Sequence, residues 1–408
     1  MLTNEEKCVE VYSSADSPTV SFEVTKDTDL NTLNLNWSEK DLPEKERTKH
    51  VHRLHPYLGK FIPQLVEIFL RKYFTPGQTI LDPFCGSGTT LVQANELGVN
   101  SIGYDVSAFN VLLSRAKTTK YDLVKAHKQI IDIFNKTREL TQTDSNQLCL
   151  WQTNQPNFSL PETNKQYLER WFASQALYEL LTYRQLIETE GYEYQNLLKI
   201  ILCRSARSAR LTTHFDLDFP KHPQIEPYWC YKHSRVCQPT KEALKFLKRY
   251  SLDTIKRLEE FSIKRTNAWV IACHTDSRKT APPPIDGIIT SPPYVGLIDY
   301  HEQHAYAYYL LGLDDKREQE IGAAANGSSQ KAKRRYQEDI AEVFQNVMGS
   351  MPIGSPLIVI AGDKANLYAG IAELIDVEVE AIVKRHVNRR TGRRSGEFYE
   401  SVFIWRKR

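Results

Sequence analysis

The sequence predicts a mixed α/β fold built on a mostly parallel sheet. Residues 78–105 run in the order turn, strand, glycine-rich loop, helix and strand, which is the order of a βαβ unit. Strand-like segments resume at 268–276, 285–291 and 356–363. The stretch between them and the first unit, about 121–266, shows helical periodicity without strand-and-turn alternation. These observations predict right-handed parallel crossovers interrupted by a mainly helical insertion.

The remaining elements follow from local signals. Residues 1–48 are polar and lack a clear period, so we expect a weakly structured leader. Pro63 fits the first turn of a helix that carries Leu65 and Phe69 at helical spacing. The helix after the glycine loop should stop at Gly98.

In the insertion, two amphipathic stretches at 165–187 and 241–261 predict helices. A short helix should start at about Leu367, and residues 377–408 read as two strands around a basic turn. The expected division of the chain is a leader (1–48), a discontinuous core domain (49–120 and 267–408) and a helical insertion (121–266).

The composition is that of a globular protein, with 41% hydrophobic and 25% charged residues in 408. A net charge of +3 does not by itself indicate a polyanionic partner. The seven cysteines are odd in number and scattered, which favours a reducing compartment over a disulfide scaffold. The first residues do not resemble a signal peptide and no run is long enough to span a membrane, so we expect a cytoplasmic protein.

The glycine-rich loop indicates a bound cofactor. Gly86 and Gly88 let a ligand approach the backbone, and the helix N-terminus that follows favours an anion. No lysine follows as in a nucleotide P-loop, and the third glycine of a dinucleotide fingerprint is missing. Asp105 ends the next strand, where a carboxylate can accept both hydroxyls of a ribose. The pattern therefore favours a cofactor with a ribose but without a pyrophosphate.

Two motifs together resemble those of a known family. "LDPFCGSGTT" and the later "TSPPY" look like the motif pair of DNA methyltransferases that methylate the exocyclic amine of cytosine (N4) or adenine (N6). The resemblance extends to "HPYLGKFIPQLVE" upstream and to "HTDSR" and "DYHEQHAYAYYLLGL" downstream. It implies a Rossmann-like sheet of seven strands with an antiparallel last strand, S-adenosylmethionine as the cofactor and double-stranded DNA as the substrate. The insertion would then recognise the target.

The resemblance also assigns roles to residues of this chain. The catalytic turn would be formed by Ser291, Pro292, Pro293 and Tyr294. The cofactor would be bound by Lys60, Asp82, Phe84, Gly86, Gly88, Asp105 and Asp276. Among these, Asp105 would bind the ribose and Asp276 the adenine amine, with Lys60 and Asp82 near the methionine end. A serine before the two prolines resembles the N4-cytosine branch, and adenine N6 stays open.

The turn suits this chemistry because an exocyclic amine is a poor nucleophile that must be held in line with the methyl group. Two prolines without N–H groups form a rigid turn. The Ser291 hydroxyl and the Pro292 carbonyl can accept hydrogen bonds from the amine, and Tyr294 can stack on a base swung out of the duplex. Methylation at carbon 5 of cytosine would need a cysteine nucleophile, usually in a Pro-Cys pair, and the sequence contains none.

Two basic groups are candidates for contacts with DNA phosphates. Arg204, Arg207 and Arg210 fall three apart and would share one helix face, for which a solvated surface is the alternative. The tip of the expected C-terminal hairpin carries a local excess of arginines, namely Arg389, Arg390, Arg393 and Arg394. Contacts of this kind give affinity but no sequence choice.

Two further sets of residues have ambiguous roles. Cys230, His233 and Cys237 could form part of a zinc site with His222, but the spacing fits no common pattern, so we predict ordinary packing and no metal. The pair of histidines beside the catalytic turn, His301 and His304, could contact the base or pack within a helix.

The expected function is therefore N4-cytosine methylation in a restriction-modification setting, with a possible cognate endonuclease. Two alternatives keep the catalysis but change the substrate: adenine N6 in DNA, and an amine in RNA. A third is a DNA-binding regulator on an inactive methyltransferase fold, although the glycine loop, Asp105 and the proline turn are all intact.

Overall fold

The computed structural model describes residues 10–11, 17–142, 161–296, 299–323, 327, 329–387 and 398–408. The strands are β1 (Glu10–Val11), β2 (Thr79–Asp82), β3 (Asn100–Asp105), β4 (Tyr228–Cys230), β5 (Arg235–Cys237), β6 (Val270–His274), β7 (Gly287–Thr290), β8 (Pro356–Ala361), β9 (Val377–His386) and β10 (Tyr399–Lys407). The helices are α1 (Glu44–Arg47), α2 (Pro63–Tyr73), α3 (Thr89–Glu96), α4 (Ala108–Thr118), α5 (Leu123–Gln142), α6 (Glu162–Trp171), α7 (Ser174–Thr189), α8 (Gln195–Ala209), α9 (Leu244–Ser262), α10 (Tyr300–Gln303), α11 (Ala305–Leu311), α12 (Gln330–Met348) and α13 (Leu367–Leu374).

The central sheet has the strand order β1-β9-β10-β8-β7-β2-β3-β6. Its pairs are parallel except those of β10, which runs antiparallel to both β8 and β9. The expected α/β class and the antiparallel last strand are thus confirmed. The two-residue strand β1 adds an eighth strand to the seven that the resemblance implies.

Apolar residues on both faces of the central strands explain why the sheet is covered on both sides. Every residue of β8 is buried, as is typical of a central parallel strand. Neighbouring residues point to opposite faces, so Ile80 packs in one apolar cluster with α2 and α3, while Leu81 packs in another with α12 and α13. No described helix has the length and apolarity that crossing a membrane requires.

The leader differs from its prediction. Val24, Leu33 and Leu35 are almost fully buried and belong to the same cluster as α2. The Ser21 hydroxyl also donates a hydrogen bond of 3.1 Å to Glu67 on that helix. The expectation of weak structure is therefore wrong for residues 17–48. Isolated apolar residues in an irregular segment show no period, so the sequence pattern did not indicate their packing.

The insertion is mainly helical, as expected, with one small hairpin formed by β4 and β5. Most of its buried apolar residues form one cluster that also includes Phe109 from α4 and Tyr306 from α11. The helix expected over 165–187 is divided in two, because Phe172 has extended backbone angles between α6 and α7.

The strand order determines where a ligand can bind. From β2 the chain builds outwards through β3 to β6, and it then returns to β7 on the other side of β2. The connections after β2 and β7 therefore leave the sheet in opposite directions, and open parallel sheets bind ligands in the crevice at that point.

Candidate active site

A cleft of about 830 Å³, with its opening included, lies at the carboxyl ends of the parallel strands. Seven residues that the sequence assigned to the cofactor or to catalysis line it: Lys60, Phe84, Gly86, Asp105, Asp276, Ser291 and Pro293. Four others do not line the cleft, although each is adjacent in sequence to a residue that does: Asp82, Gly88, Pro292 and Tyr294.

The glycine loop has a backbone that only glycine adopts easily. Gly86 and Gly88 both have positive φ angles, of 47° and 75°. A Cβ atom on Gly88 would lie 2.7 Å from the Ser114 hydroxyl oxygen. That hydroxyl donates to the carbonyl of Gly86 (2.9 Å), and the fully buried ammonium group of Lys117 donates to the carbonyl of Ser87 (2.6 Å). Helix α4 therefore holds the loop from below.

Asp105 ends β3 at the wall of the cleft, as predicted. Its carboxylate accepts hydrogen bonds from the backbone N–H groups of Gly86 and Ser107, both at 2.8 Å, and from the side-chain amide of Asn110. Burial raises the pKa of Asp105 to about 6, although these hydrogen bonds act in the opposite direction. The sequence analysis did not identify Asn110, which lies in the first turn of α4 next to its N-cap Ser107.

Asp82 lies behind the wall, where it is 1% exposed. Its carboxylate accepts hydrogen bonds from the Thr290 hydroxyl (2.6 Å) and from the backbone N–H of Phe84 (3.1 Å). Burial raises its pKa to about 6. Asp82 therefore lies behind the loop in this structure, and its contact with the cofactor stays a prediction.

Asp276 follows β6 and faces the cleft from a third strand. Burial by itself would raise the pKa of Asp276, but the side chain and backbone N–H of Arg278 outweigh this effect and keep the pKa below its usual value. The Arg278 guanidinium is 2.8 Å from one Asp276 oxygen and also contacts Asp339 on α12. The carboxylate is therefore held in its charged form.

Two aromatic rings and a lysine complete the wall. Tyr57 and Tyr300 stack with their ring centroids 5.5 Å apart. The ammonium group of Lys60 donates to the carbonyl of His52 (3.1 Å), and burial lowers the pKa of Lys60 to about 8. Tyr57 lies inside the "HPYLGKF" segment, but neither tyrosine was among the site residues that the sequence indicated.

The residues fit the cofactor that the resemblance implies. Asp105 offers carboxylate oxygens at the cleft wall for ribose hydroxyls, and Asp276 offers a charged acceptor for an amine. Gly86 has no side chain, and a Cβ atom there would come within 3.2 Å of the Tyr57 hydroxyl oxygen. The cleft can therefore accept S-adenosylmethionine against the backbone of the loop.

The proline turn leaves β7 directly into the cleft. Among the described residues, the Ser291 hydroxyl and the Pro292 carbonyl make no hydrogen bond. The Pro293 carbonyl accepts one from the Tyr336 hydroxyl at 2.9 Å. The Tyr294 hydroxyl donates to Glu400 on β10 (2.8 Å). Within the described part of the chain, two hydrogen-bond acceptors at the turn are therefore without partners, while Pro293 and Tyr294 are each held by a hydrogen bond.

The two histidines after the turn are buried. His301 contacts Glu320 through Nδ1 at 2.6 Å. His304 stacks on Phe109 with a centroid distance of 4.4 Å, and burial lowers the pKa of His304 to about 3. Of the two roles left open, packing is the one that these contacts fit.

The three arginines of α8 and its end do not form an exposed basic face. Arg204 is 2.6 Å from Asp253 and lies over the ring of Tyr250, while Arg210 lies over Tyr306 and donates to a backbone carbonyl. Both are largely buried, which contradicts phosphate contact and a solvated face alike.

The third arginine, Arg207, is partly exposed and pairs with Asp218. The arginines of the expected hairpin tip, Arg389, Arg390, Arg393 and Arg394, lie outside the described residues.

Comparison with known proteins identifies the family. The sequence model of a DNA methylase family, N6/N4, matches residues 3–115. The type II methyltransferase M.MjaII of Methanocaldococcus jannaschii is 39% identical over 430 residues, which cover 89% of this chain and 81% of that protein. M.BsoBI of Geobacillus stearothermophilus, another type II methyltransferase, is 24% identical over 69% of this chain and 56% of its own length.

Similarity to solved structures is weaker. TrmN from Thermus thermophilus aligns with 86% of this chain and 50% of its own at 11% identity and a TM-score of 0.33. The fold assignment therefore depends on the strand order and directions described above.

The match to M.MjaII extends over most of both proteins, and the family model covers the segment that carries the glycine loop and Asp105. Members of this family take their methyl group from S-adenosylmethionine. The chain therefore belongs to the N6/N4 DNA methylase family and is an S-adenosylmethionine-dependent DNA methyltransferase.

Proposed function

We propose that this methyltransferase modifies the exocyclic N4 amine of a cytosine that is flipped out of double-stranded DNA. One observation carries the proposal: the Ser291 hydroxyl and the Pro292 carbonyl are without hydrogen-bond partners among the described residues, at a turn that opens into the same cleft as Asp105 and Asp276. A short serine at this position, in place of aspartate or asparagine, favours cytosine over adenine as the target.

In this mechanism, S-adenosylmethionine supplies an electrophilic methyl group when it is bound. Asp105 would hold the ribose hydroxyls and Asp276 the adenine amine. The cofactor would lie against the backbone of the glycine loop. Ser291 and Pro292 would accept the two N–H groups of the target amine and so aim its lone pair along the line of attack. The contribution of the protein is then orientation, since holding reactants in line removes much of the entropic barrier.

Tyr294 suits a stacking role because its ring is fixed from behind. Its hydroxyl donates to Glu400, and this carboxylate pairs with Arg385 at 2.9 Å, both of them largely buried. Phe398 lies against the ring at a centroid distance of 6.1 Å. A ring held in this way can receive a flipped base without losing further rotational freedom, and enzymes that modify bases need such a pocket.

The insertion is proposed to recognise the target sequence. Its β4–β5 hairpin carries large exposed apolar side chains, Trp229 and Val236, paired across the strands. Tyr231 and Phe215 are exposed beside each other with their ring centroids 6.4 Å apart. Contiguous exposed apolar surface of this kind usually marks an interaction site.

The proposed setting is a cytoplasmic restriction-modification system with a cognate endonuclease. The named relatives are type II methyltransferases from an archaeon and a bacterium, which supports this setting. Four arginines that the sequence predicts at a hairpin tip are proposed to contact the DNA backbone: Arg389, Arg390, Arg393 and Arg394.

The test is incubation of the purified protein with tritiated S-adenosylmethionine and unmethylated genomic DNA, followed by mass spectrometry of the nucleosides. N4-methylcytosine would support the proposal. N6-methyladenine would overturn the choice of base and retain the mechanism. Label in RNA alone would favour an RNA amine methyltransferase, and cofactor binding without transfer to either nucleic acid would favour a regulator on an inactive fold.

A further inference from the structure

Four potential metal ligands meet at the β4–β5 hairpin of the insertion, far along the chain from every residue of the cofactor cleft. They are His214, Cys230, His233 and Cys237, and one ligand atom from each lies within 4.8 Å of all the others. Cys230 and Cys237 are almost fully buried, whereas His214 is half-buried and His233 is exposed. We propose that these residues bind one Zn²⁺ ion.

The distances agree with those of a zinc site. The Sγ atom of Cys230 is 3.4 Å from Nδ1 of His214 and 3.6 Å from Nδ1 of His233, and the Sγ atom of Cys237 is 3.5 Å from the same His233 atom. Zinc bond lengths of about 2.3 Å to sulfur and about 2.05 Å to nitrogen, at a tetrahedral angle, separate the two atoms by about 3.6 Å. These three distances thus match the spacing that a tetrahedral ion imposes.

The composition of the set indicates a structural ion. Two cysteines and two histidines are a common set for zinc, and four protein ligands leave no position open for water or substrate. Binding would convert both thiols to thiolates, so that Zn²⁺ and two neutral histidines form the site and two protons are released. At His214, the ion would take the place of the Tyr228 hydroxyl, which is now 2.9 Å from Nδ1.

The hairpin needs such support because it has little core of its own. Strands β4 and β5 have three residues each, and a two-stranded hairpin of this size is marginally stable in water. Trp229, Tyr231 and Val236 are more than half exposed, so they contribute little to a local core. Small units with this deficit commonly depend on a metal or a disulfide.

The proposal departs from the sequence prediction of no metal. The spacing between the ligands is Cys-x₂-His-x₃-Cys, and the fourth ligand comes from a loop sixteen residues before Cys230. His222, which the sequence suggested as a partner, is exposed and is absent from the described cluster. A ligand brought in by a loop leaves no regular spacing in the sequence.

The first test measures the metal content of the full-length wild-type protein, purified without chelators from zinc-containing medium. Plasma mass spectrometry should find about one zinc per chain. Protein produced in cobalt-containing medium should show the sulfur-to-cobalt charge-transfer band and the intense visible bands of tetrahedral Co²⁺. Wild-type protein without zinc, which neither takes up added Zn²⁺ nor gives the cobalt bands, would overturn the proposal.

Variants then identify the ligands. Three single variants should each bind zinc much more weakly and show a much weaker charge-transfer band: Cys230→Ser, Cys237→Ser and His214→Ala. Two matched controls should keep both: His222→Ala in the same loop region, and Cys273→Ser, a half-exposed cysteine on β6. Loss of metal in His222→Ala with retention in His214→Ala would contradict the assigned set.

A third measurement separates metal loss from misfolding. Chelation of the wild-type protein should make residues 211–243 sensitive to protease while S-adenosylmethionine still binds, because the cofactor cleft contains none of the four ligands. A Cys230–Cys237 disulfide peptide in the native protein would overturn the zinc assignment and leave the two histidines without this role.

Discussion

The Thr290 hydroxyl donates a hydrogen bond of 2.6 Å to the Asp82 carboxylate and thereby joins the two motifs of the enzyme. Asp82 precedes the glycine loop at the end of β2, and Thr290 precedes the proline turn at the end of β7. Both side chains are buried on adjacent parallel strands. The cofactor loop and the catalytic turn are therefore fixed to each other by one contact beneath the cleft.

We expect Thr290→Val to weaken this connection. It removes the donor and leaves a buried carboxylate short of a partner, which should cost about 1–3 kcal/mol of unfolding free energy. Urea denaturation measures the loss, and cofactor affinity should fall with it because the loop is less well fixed. The conservative control Thr290→Ser keeps a hydroxyl and should lie close to wild type. Equal stability of all three proteins would show that the bond contributes nothing.

Cofactor affinity should rise as the pH increases through about 6. Asp105 has a raised pKa of about 6 in the free protein, and ribose hydroxyls that donate to it would favour its charged form and lower that pKa. Binding therefore releases a proton, and affinity is lower below pH 6 and constant above it. Titration calorimetry between pH 5 and 8 measures this dependence.

The matched variant is Asp105→Asn, which removes the titrating group. Its affinity should be lower by about 10-fold to 100-fold at pH 7.5, the range expected when hydrogen bonds to a charged group are removed. Its cofactor affinity should also show no stepwise change as the pH passes through about 6. A step that persists in the variant would assign it to another group, of which Asp82, with a pKa of about 6, is the first candidate.

Ser291→Ala should slow methyl transfer without changing cofactor binding. The variant removes one acceptor for the target amine, so single-turnover rates should fall by about tenfold or more, as is usual for a hydrogen bond made mainly in the transition state. Wild-type affinity for S-adenosylmethionine is the internal control. A reduced affinity with a normal single-turnover rate would move Ser291 from catalysis to cofactor binding.

Two substitutions at Tyr294 separate its ring from its hydroxyl. Tyr294→Phe keeps the ring and loses only the bond to Glu400, so we expect a modest loss of rate and stability. Tyr294→Ala removes the stacking surface and should weaken binding of a target base by about 1–3 kcal/mol. Fluorescence of 2-aminopurine at the target position reports base flipping. Indistinguishable behaviour of the two variants would argue against stacking.

The two groups of arginines should behave in opposite ways. Replacing Arg389, Arg390, Arg393 and Arg394 by glutamine should reduce DNA affinity and make it less dependent on salt. The slope of log affinity against log salt concentration should become shallower by about 0.9 for each phosphate that is no longer neutralised. Arg204→Met should leave this slope unchanged and lower stability instead, because it leaves the part-buried Asp253 without that partner. Filter binding at several salt concentrations, together with thermal unfolding, distinguishes the two effects.

The parts of the fold that the sequence predicted correctly have strong local signals. Strand β2 lies at the start of the βαβ segment predicted for residues 78–105, and the helix before Gly98 and the C-terminal pair of strands are also where they were expected. Each combines an apolar period with a glycine or a polar turn, so neighbouring residues determine its structure.

The parts that were missed depend on contacts between distant segments. Arginine spacing along α8 could not indicate that Arg204 meets Asp253 and that Arg210 meets Tyr306. Likewise, nothing near Lys117 signals that its ammonium group lies under the glycine loop, and His214 joins the two cysteines only through folding of a loop. Buried polar groups are placed by tertiary structure and leave no period in the sequence.

The bond from Tyr294 to Glu400 also has a consequence for the order of events during synthesis. Its two residues are separated by 106 positions, and Glu400 lies on β10, the strand inserted antiparallel between β8 and β9. Every residue that lines the cleft, the last of which is Val343, precedes β10 in the chain. The tyrosine gains its anchor only after β10 has been made and has entered the sheet. The ring proposed to stack on the base is thus fixed only after every residue that lines the cofactor cleft has been made.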